Sequence, residues 1–308
     1  MDVTPERLLD VGFDAVEAAA PPAPAPLAAR VATAATSARP AADAGWSAGN
    51  GRLTALQAFL QTATEVADML DALSPADWSR GTGGGAGQTV HDMAVHLVGV
   101  ERYLLGQLGV RAPFDAPERR HHTPATRQAA AELLDEPGPI VARTWWREVL
   151  AVAAACGRAG PDRPVQYHDI PGTVRSLMTI RTFEVWTHGE DITRAVGLGR
   201  NPLDGPRLAL MSGELIAVLP FALALSGQAR PGATARLELT GPGGGEYLVP
   251  LALGEVPGEP AVTITTPVID ICRLAANRIA AADLPVSVTG DVALVEPVLV
   301  AAGALAMD

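Results

Sequence analysis

The sequence predicts two folded parts: an up-and-down α-helical bundle in residues 51–200 and a small α+β domain with an antiparallel sheet in residues 201–308. Apolar residues recur at intervals of three and four along most of the first part, as they do on one face of a helix. After the run GLGRNPLDGP there is one more apolar helix, and the apolar period then becomes two. A chain of 308 residues is long enough for two such cores.

Residues 1–50 have a different composition from the rest of the chain. They are rich in Ala and Pro, as in PPAPAPLAARVATAATSARP, and contain one short helical pattern in PERLLDVGFDAVEAA. Such a composition buries little apolar surface and favours extended linker conformations. We expect a tail with at most one short helix.

Five helices are expected in the bundle, and the connections between them suit an up-and-down arrangement. They are expected through LTALQAFLQTATEVADMLDAL, over 89–106, within TRQAAAELLD, over 138–156 and over 173–196.

The C-terminal part opens with a helix over about 207–225. Apolar and polar residues then alternate in ATARLELTG, GEYLVPLAL and AVTITTPV, which predicts a meander of strands. Helical spacing returns in IDICRLAANRI and VEPVLVAAGALA, with the short strand PVSVTG between them.

Composition excludes several kinds of chemistry. All 23 basic residues are Arg, which rules out a lysine Schiff base, a P-loop lysine and a Ser-Lys dyad. A net charge of -11 without a basic run argues against a nucleic-acid partner. Cys156 and Cys272 lie in apolar settings outside any CxxC spacing, so we expect two inert free thiols.

The location expected from the sequence is the cytoplasm, without a membrane partner. The opening MDVTPERLLD lacks the cationic region of a secretory signal. The longest apolar candidate, LIAVLPFALALSG, is shorter than a membrane span and contains Pro220.

One stripe of the fifth expected helix carries four ionisable side chains, because Arg181, Glu184, His188 and Asp191 are spaced by three and four residues. Inside a bundle these charges are costly unless another charge compensates them, and a divalent cation would do so. The alternative is a solvated helix face held by local ion pairs. Apolar neighbours such as Trp186 favour the buried interpretation.

His96 lies in the apolar segment HDMAVHLVGVERYLL of the second expected helix. Alone it is compatible with a hydrogen-bonded core histidine. Together with Glu184 and His188 it provides two imidazoles and one carboxylate, a ligand set of zinc and similar ions that leaves a position open for water or substrate.

The segments TVHDMAVHLVGVERYL and RTFEVWTHGEDITRAVG resemble the mycothiol-dependent maleylpyruvate isomerase family, whose bundle belongs to the wider DinB-like superfamily. The resemblance spans roughly residues 50–200, and the C-terminal part resembles the sterol-carrier-like domain that often follows this bundle. It implies that His96, Glu184 and His188 bind the metal, most simply Zn2+.

The resemblance implies mycothiol as the thiol cosubstrate and an electrophilic small molecule as its acceptor. A metal-activated thiolate would then support a mycothiol S-transferase or a mycothiol-dependent isomerase. Two alternatives stay open: a hydrolase with metal-activated water, and a non-catalytic small-molecule-binding module.

Three further residues are candidates for a role at this site. Arg278 corresponds to an arginine that the family's C-terminal domain presents toward the active site. Asp191 is expected to hold the second ring nitrogen of His188, or to form a plain ion pair. Arg181 is expected to bind a carboxylate of the substrate or thiol, or to pair with Glu184 or Asp191.

The other histidines are expected to lie outside the site. His121 and His122 are expected in an exposed loop and His168 in a turn. His91 is five residues from His96, about 140 degrees around the helix, and so faces elsewhere.

Overall fold

The structure, a computed structural model, describes residues 53–83, 88–110, 122–167, 170–199 and 203–305. The expected tail of residues 1–50 lies outside the described residues, and so do His121 and His168.

Eight α-helices occur in the described residues, and each coincides with a helix that the sequence predicts. They are α1 (Ala55–Asp71), α2 (Val90–Gln107), α3 (Thr123–Leu133), α4 (Gly138–Ala159), α5 (Val174–Ala195), α6 (Gly205–Leu225), α7 (Val268–Ala275) and α8 (Val295–Gly303). The mostly helical fold class is confirmed.

Local side chains fix where α1 and α2 begin. Thr54 and Gln57 form a capping box at α1, and Thr89 and Asp92 form another at α2. In each box the threonine side chain accepts the backbone N–H of the third helical residue, whose own side chain accepts the threonine backbone N–H. These bonds satisfy N–H groups that the first turn leaves without a helical partner.

Helix α2 is the centre of the bundle. It packs on α3 and on α4, and α1 packs on α4. Arg102 of α2 forms ion pairs with Glu132 of α3 at 2.6 Å and with Glu148 of α4 at 3.2 Å. Glu101 of α2 pairs with Arg181 of α5 at 2.7 Å, and both side chains are fully buried. Charged contacts therefore link α2 to three other helices.

A β-hairpin that the sequence analysis did not predict precedes α5. Strands β1 (Pro164–Tyr167) and β2 (Ile170–Thr173) pair antiparallel. Each has four residues, too few for an alternating pattern to stand out, and each contains a proline. Thr173 ends β2 and caps α5, since its side chain accepts the Ser176 backbone N–H.

The C-terminal region contains a four-stranded sheet in the order β4-β3-β5-β6. Its strands are β3 (Thr234–Thr240), β4 (Gly245–Pro250), β5 (Val262–Pro267) and β6 (Ser287–Gly290). The β3–β4 and β5–β6 pairs are antiparallel, whereas β3 and β5 are parallel. The α+β organisation is confirmed, but the sheet is mixed and is not a simple meander. After β4 the chain crosses to the other edge of β3, so β5 runs in the same direction as β3.

Helix α6 is long and apolar enough to cross a membrane, judged by length and composition alone. Its 21 residues continue through Pro220, which the sequence analysis treated as an interruption of the apolar run. Leu208, Met211, Leu215 and Leu219 are buried in the core of the C-terminal region. This packing accounts for the apolar character of that side of the helix.

The described residues form two compact units. One unit holds those before Thr182 together with 188–199, and the other holds Thr182–Thr187 together with 203–305. Trp186 accordingly lies in the hydrophobic core of the second unit, and Phe183 packs against that core. The division at residue 200 that the sequence suggests stays a prediction.

Candidate active site

His96 of α2 and His188 of α5 lie in direct contact. Their ring centres are 5.1 Å apart and their planes are inclined by 80°. His188 is buried, and His96 is partly exposed. The structure thus brings together the two imidazoles that the sequence predicts to share a site.

The surroundings of His96 favour its neutral form. Although part of the residue is exposed, burial of its ring, followed by the nearby His188, His122 and Arg181, lowers the pKa of His96 well below the ordinary value of 6.5. A neutral imidazole is the form that binds metal ions.

His188 presents a buried nitrogen toward Asp191. Its Nδ1 has no hydrogen-bond partner among the described residues, and Asp191 Oδ2 lies 3.8 Å away. That distance is too long for a hydrogen bond. Asp191 is itself buried and pairs with Arg194 one turn later. Asp191 therefore lies beside His188, and it also forms an ion pair with Arg194.

His122 belongs to the same cluster, and the expectation that it lies in an exposed loop is wrong. It is only 8% exposed, and its ring centre lies 5.2 Å from that of His96, with planes at 83°. It immediately precedes α3, which packs closely on α2: a Cβ atom on Gly99 would lie 2.4 Å from Cα of Thr126. This tertiary contact buries His122, and no local sequence pattern reports it.

Glu184 lies on α5, four residues before His188. Glu184 lies in the segment of α5 that groups with the second unit. Across residues 53–83, 88–110, 122–167, 170–199 and 203–305, no three or more His, Cys, Asp or Glu side chains are arranged to hold a metal ion. The role of Glu184 as a ligand stays a prediction.

The two arginines have defined hydrogen bonds. Arg181 Nη2 donates to Glu101 Oε1 at 2.7 Å, which gives it a partner on α2 that the sequence analysis did not name. Arg278 Nη1 donates to the Ala276 carbonyl at 2.7 Å and follows Asn277, which adopts a left-handed conformation (φ 56°). Contact of either arginine with a substrate stays a prediction.

The remaining titratable candidates are accounted for by packing. His91 Nε2 lies 2.8 Å from the Glu136 carbonyl, and its ring meets Trp78 edge-on. Cys156 and Cys272 are free and buried, and burial raises the pKa of each to about 12. Both thiols are thus free and buried as expected, and their lack of reactivity stays a prediction.

Residues 59–193 match the family model described as the mycothiol maleylpyruvate isomerase N-terminal domain. This part of the chain is similar to that domain family. The matched range includes His96, His122, Glu184 and His188, so the histidine cluster lies within the segment that the family model matches.

Two solved structures are similar to the chain. One is the crystal structure of the mycothiol-dependent maleylpyruvate isomerase, with 19% sequence identity, a TM-score of 0.50, and coverage of 77% of this chain and 93% of that chain. The other is a variant of that enzyme in which a histidine is replaced by alanine, with the same identity and coverage and a TM-score of 0.48. The likeness to the first concerns the fold. No curated protein matches the chain in sequence.

Proposed function

We propose that this chain is a mycothiol-using enzyme, an S-transferase or an isomerase, that acts on an electrophilic small molecule through a thiol activated by a divalent metal. The family of residues 59–193 supports the use of mycothiol. The observation that carries the metal-dependent part is the contact between His96 and His188.

The separation of the paired imidazoles supports zinc as the proposed ion. Two imidazoles on one tetrahedral zinc have ring centres about 5 Å apart, because each ligating nitrogen lies about 2 Å from the ion. The separation of His96 and His188 is 5.1 Å. We propose Glu184 as the carboxylate that completes this site, which gives an N/O ligand set that zinc accepts.

A bound zinc ion would supply the Lewis acidity that deprotonates a thiol near neutral pH. The surroundings of His96 would hold its ring neutral, as a metal ligand requires. Asp191 would orient His188 by accepting its Nδ1–H. This requires the distance between His188 Nδ1 and Asp191 Oδ2, now 3.8 Å, to shorten slightly. No protein thiol is needed as nucleophile, which agrees with the raised pKa of Cys156 and Cys272.

We place this function in the cytoplasm, with a low-molecular-weight thiol and a small electrophile as partners and without nucleic acid or membrane. Two free cysteines suit a reducing compartment. The net charge of -11 disfavours polyanionic partners. The C-terminal unit is proposed to be sterol-carrier-like.

The test is elemental analysis of the purified full chain beside His188→Ala and Glu184→Ala. We expect near-stoichiometric zinc in the unaltered protein and its loss from both variants. His91→Gln is the matched control, because His91 contacts Glu136 and Trp78 and lies outside the cluster. It is expected to keep its zinc.

Turnover assays with and without mycothiol then separate the alternatives. Metal-dependent hydrolysis that ignores the thiol would identify a hydrolase. Ligand binding that is the same with and without zinc would identify a non-catalytic module and would contradict the proposal.

A further inference from the structure

A fully buried ion pair joins the two helices that carry His96 and His188. Arg181 Nη2 of α5 lies 2.7 Å from Glu101 Oε1 of α2, and neither side chain is exposed to solvent. Arg181 is one of the largest fully buried side chains among the described residues. The proposed function gives no role to Glu101 or to this pair.

The ion pair and the histidine contact join the same two helices at two different places. Glu101 follows His96 by five residues on α2, whereas Arg181 precedes His188 by seven residues on α5. The two helices therefore run antiparallel here, and the ion pair lies one to two turns from the histidines. Two fixed points on each helix limit how far one helix can slide or rotate against the other.

The charge of the pair also reaches the site. Burial is the main cause of the lowered pKa of His96, and the positive charge of Arg181 is one of the smaller causes. This places the guanidinium near the His96 ring without a direct contact between them.

Stability alone does not account for an ion pair in this position. Removing two charges from water is costly, and apolar side chains of similar volume in place of a buried ion pair are often neutral or stabilising. The planar guanidinium, however, donates hydrogen bonds in fixed directions, so it accepts a carboxylate in few geometries. Apolar side chains pack against each other in many.

We propose that the ion pair of Glu101 and Arg181 sets the register of α5 against α2 and thereby brings His188 onto His96. Both are positioning residues in this role, and neither has to touch a substrate. The pair acts on a contact between two rings of the protein, so this role requires neither a metal nor mycothiol.

Two double variants without the ion pair test this role: Glu101→Leu with Arg181→Met, and Glu101→Met with Arg181→Leu. The measurement is the nuclear Overhauser effect between the ring protons of His96 and His188, in zinc-free full chain with only histidine protonated. A slip of one turn, about 5.4 Å along the helix, would weaken this cross-peak about tenfold, because its intensity falls with the sixth power of distance. We expect that loss in both variants, with denaturation midpoints close to that of the unaltered protein.

Arg102→Met with Glu148→Leu is the matched control, because it removes a largely buried ion pair that joins α2 to α4 and not to α5. It should keep the His96–His188 cross-peak. Arg181→Lys keeps a positive charge opposite Glu101 and should keep the cross-peak as well.

An unchanged cross-peak in both apolar variants would overturn the positioning role. Loss of folding in both would also overturn it, because the pair would then be required for stability itself. A cross-peak that disappears in the Arg102 and Glu148 control as well would contradict the specific role of this pair. None of these results decides the proposed function, which zinc analysis and mycothiol assays test separately.

Discussion

His96 is a residue whose surroundings oppose protonation. Burial is the largest cause of its lowered pKa, and His188, His122 and Arg181 add to it when they carry positive charge. The His96 imidazole is therefore ready to bind a metal without first losing a proton.

We expect the metal-free protein to lose stability as the pH falls below 6.5, the ordinary pKa of histidine. Below that pH the unfolded chain binds a proton at His96 that the folded chain does not. The free energy of unfolding therefore decreases as the pH decreases. This residue contributes at most about 1.4 kcal/mol per pH unit. Urea denaturation at several pH values between 7 and 5 measures it.

His96→Gln is the comparison for this measurement, because glutamine has a similar polarity and does not titrate. Its stability should depend less steeply on pH over the same window. Identical slopes for the two proteins would show that His96 is protonated equally in the folded and unfolded chains.

Cys156 and Cys272 are expected to be unreactive toward 5,5′-dithiobis(2-nitrobenzoate) at pH 8 in the folded protein. Both are buried and have a pKa of about 12, so the thiolate that attacks the reagent is almost absent. The absorbance of the released thionitrobenzoate should correspond to two thiols per chain only after guanidinium has unfolded the protein. A thiol that reacts within seconds in the folded protein would contradict this placement.

Among the elements, α2 contributes most to the site and to the bundle. It carries His96, and it carries Glu101 and Arg102, whose ion pairs reach α3, α4 and α5. It also carries Gly99, where α3 approaches. The local geometry of α2 therefore decides where His122 lies.

Gly99→Ala is expected to destabilise the protein by about 1–3 kcal/mol, because the new methyl group would overlap the backbone of Thr126. This outweighs the gain of about 1 kcal/mol that alanine brings inside a helix. Gly213→Ala in α6 is the matched control, since no atom lies within 4 Å of the point that its new methyl group would occupy. It should stabilise by about 0.5–1 kcal/mol. Chemical denaturation that gives both variants the same sign would contradict the close α2–α3 contact.

The helices could be predicted from sequence because their signals are local. The spacing of apolar residues, the capping boxes and the Gly and Pro residues between helices can each be read from a few neighbouring residues. The capping box of Thr54 and Gln57 is an example. The burial of His122 could not be predicted this way, because it depends on α3 meeting α2. Likewise the spacing around Arg181 suggests partners on its own helix, whereas its partner Glu101 lies 80 residues earlier.

At the scale of the whole molecule, α5 contributes residues to both compact units. His188 and Asp191 belong to the unit with the histidine cluster, whereas Trp186 lies in the core of the C-terminal unit. A sequence boundary near residue 200 does not anticipate this sharing, because the period of α5 is continuous. The parallel pairing of β3 with β5 was missed for a related reason, since strand order is not encoded in alternation.

Trp186→Ala is expected to destabilise the C-terminal unit by about 3–5 kcal/mol, because a large buried side chain is removed from its core. Hydrogen-exchange mass spectrometry should show lost protection among residues 203–305. Trp145→Ala in α4, where the indole is fully buried, is the matched control and should lower protection in the helical unit instead. Loss confined to the helical unit in both variants would contradict the assignment of Trp186.

The central claim, that a metal held by the histidine cluster activates mycothiol, is tested most directly by calorimetric titration of the zinc-loaded full chain with mycothiol in two buffers of different ionisation enthalpy. A free thiol with a pKa of about 8.5 is protonated at pH 7. We therefore predict that binding releases close to one proton, and that zinc-free protein and His188→Ala release none. Mycothiol binding of equal strength with and without zinc, and without proton release, would contradict the account.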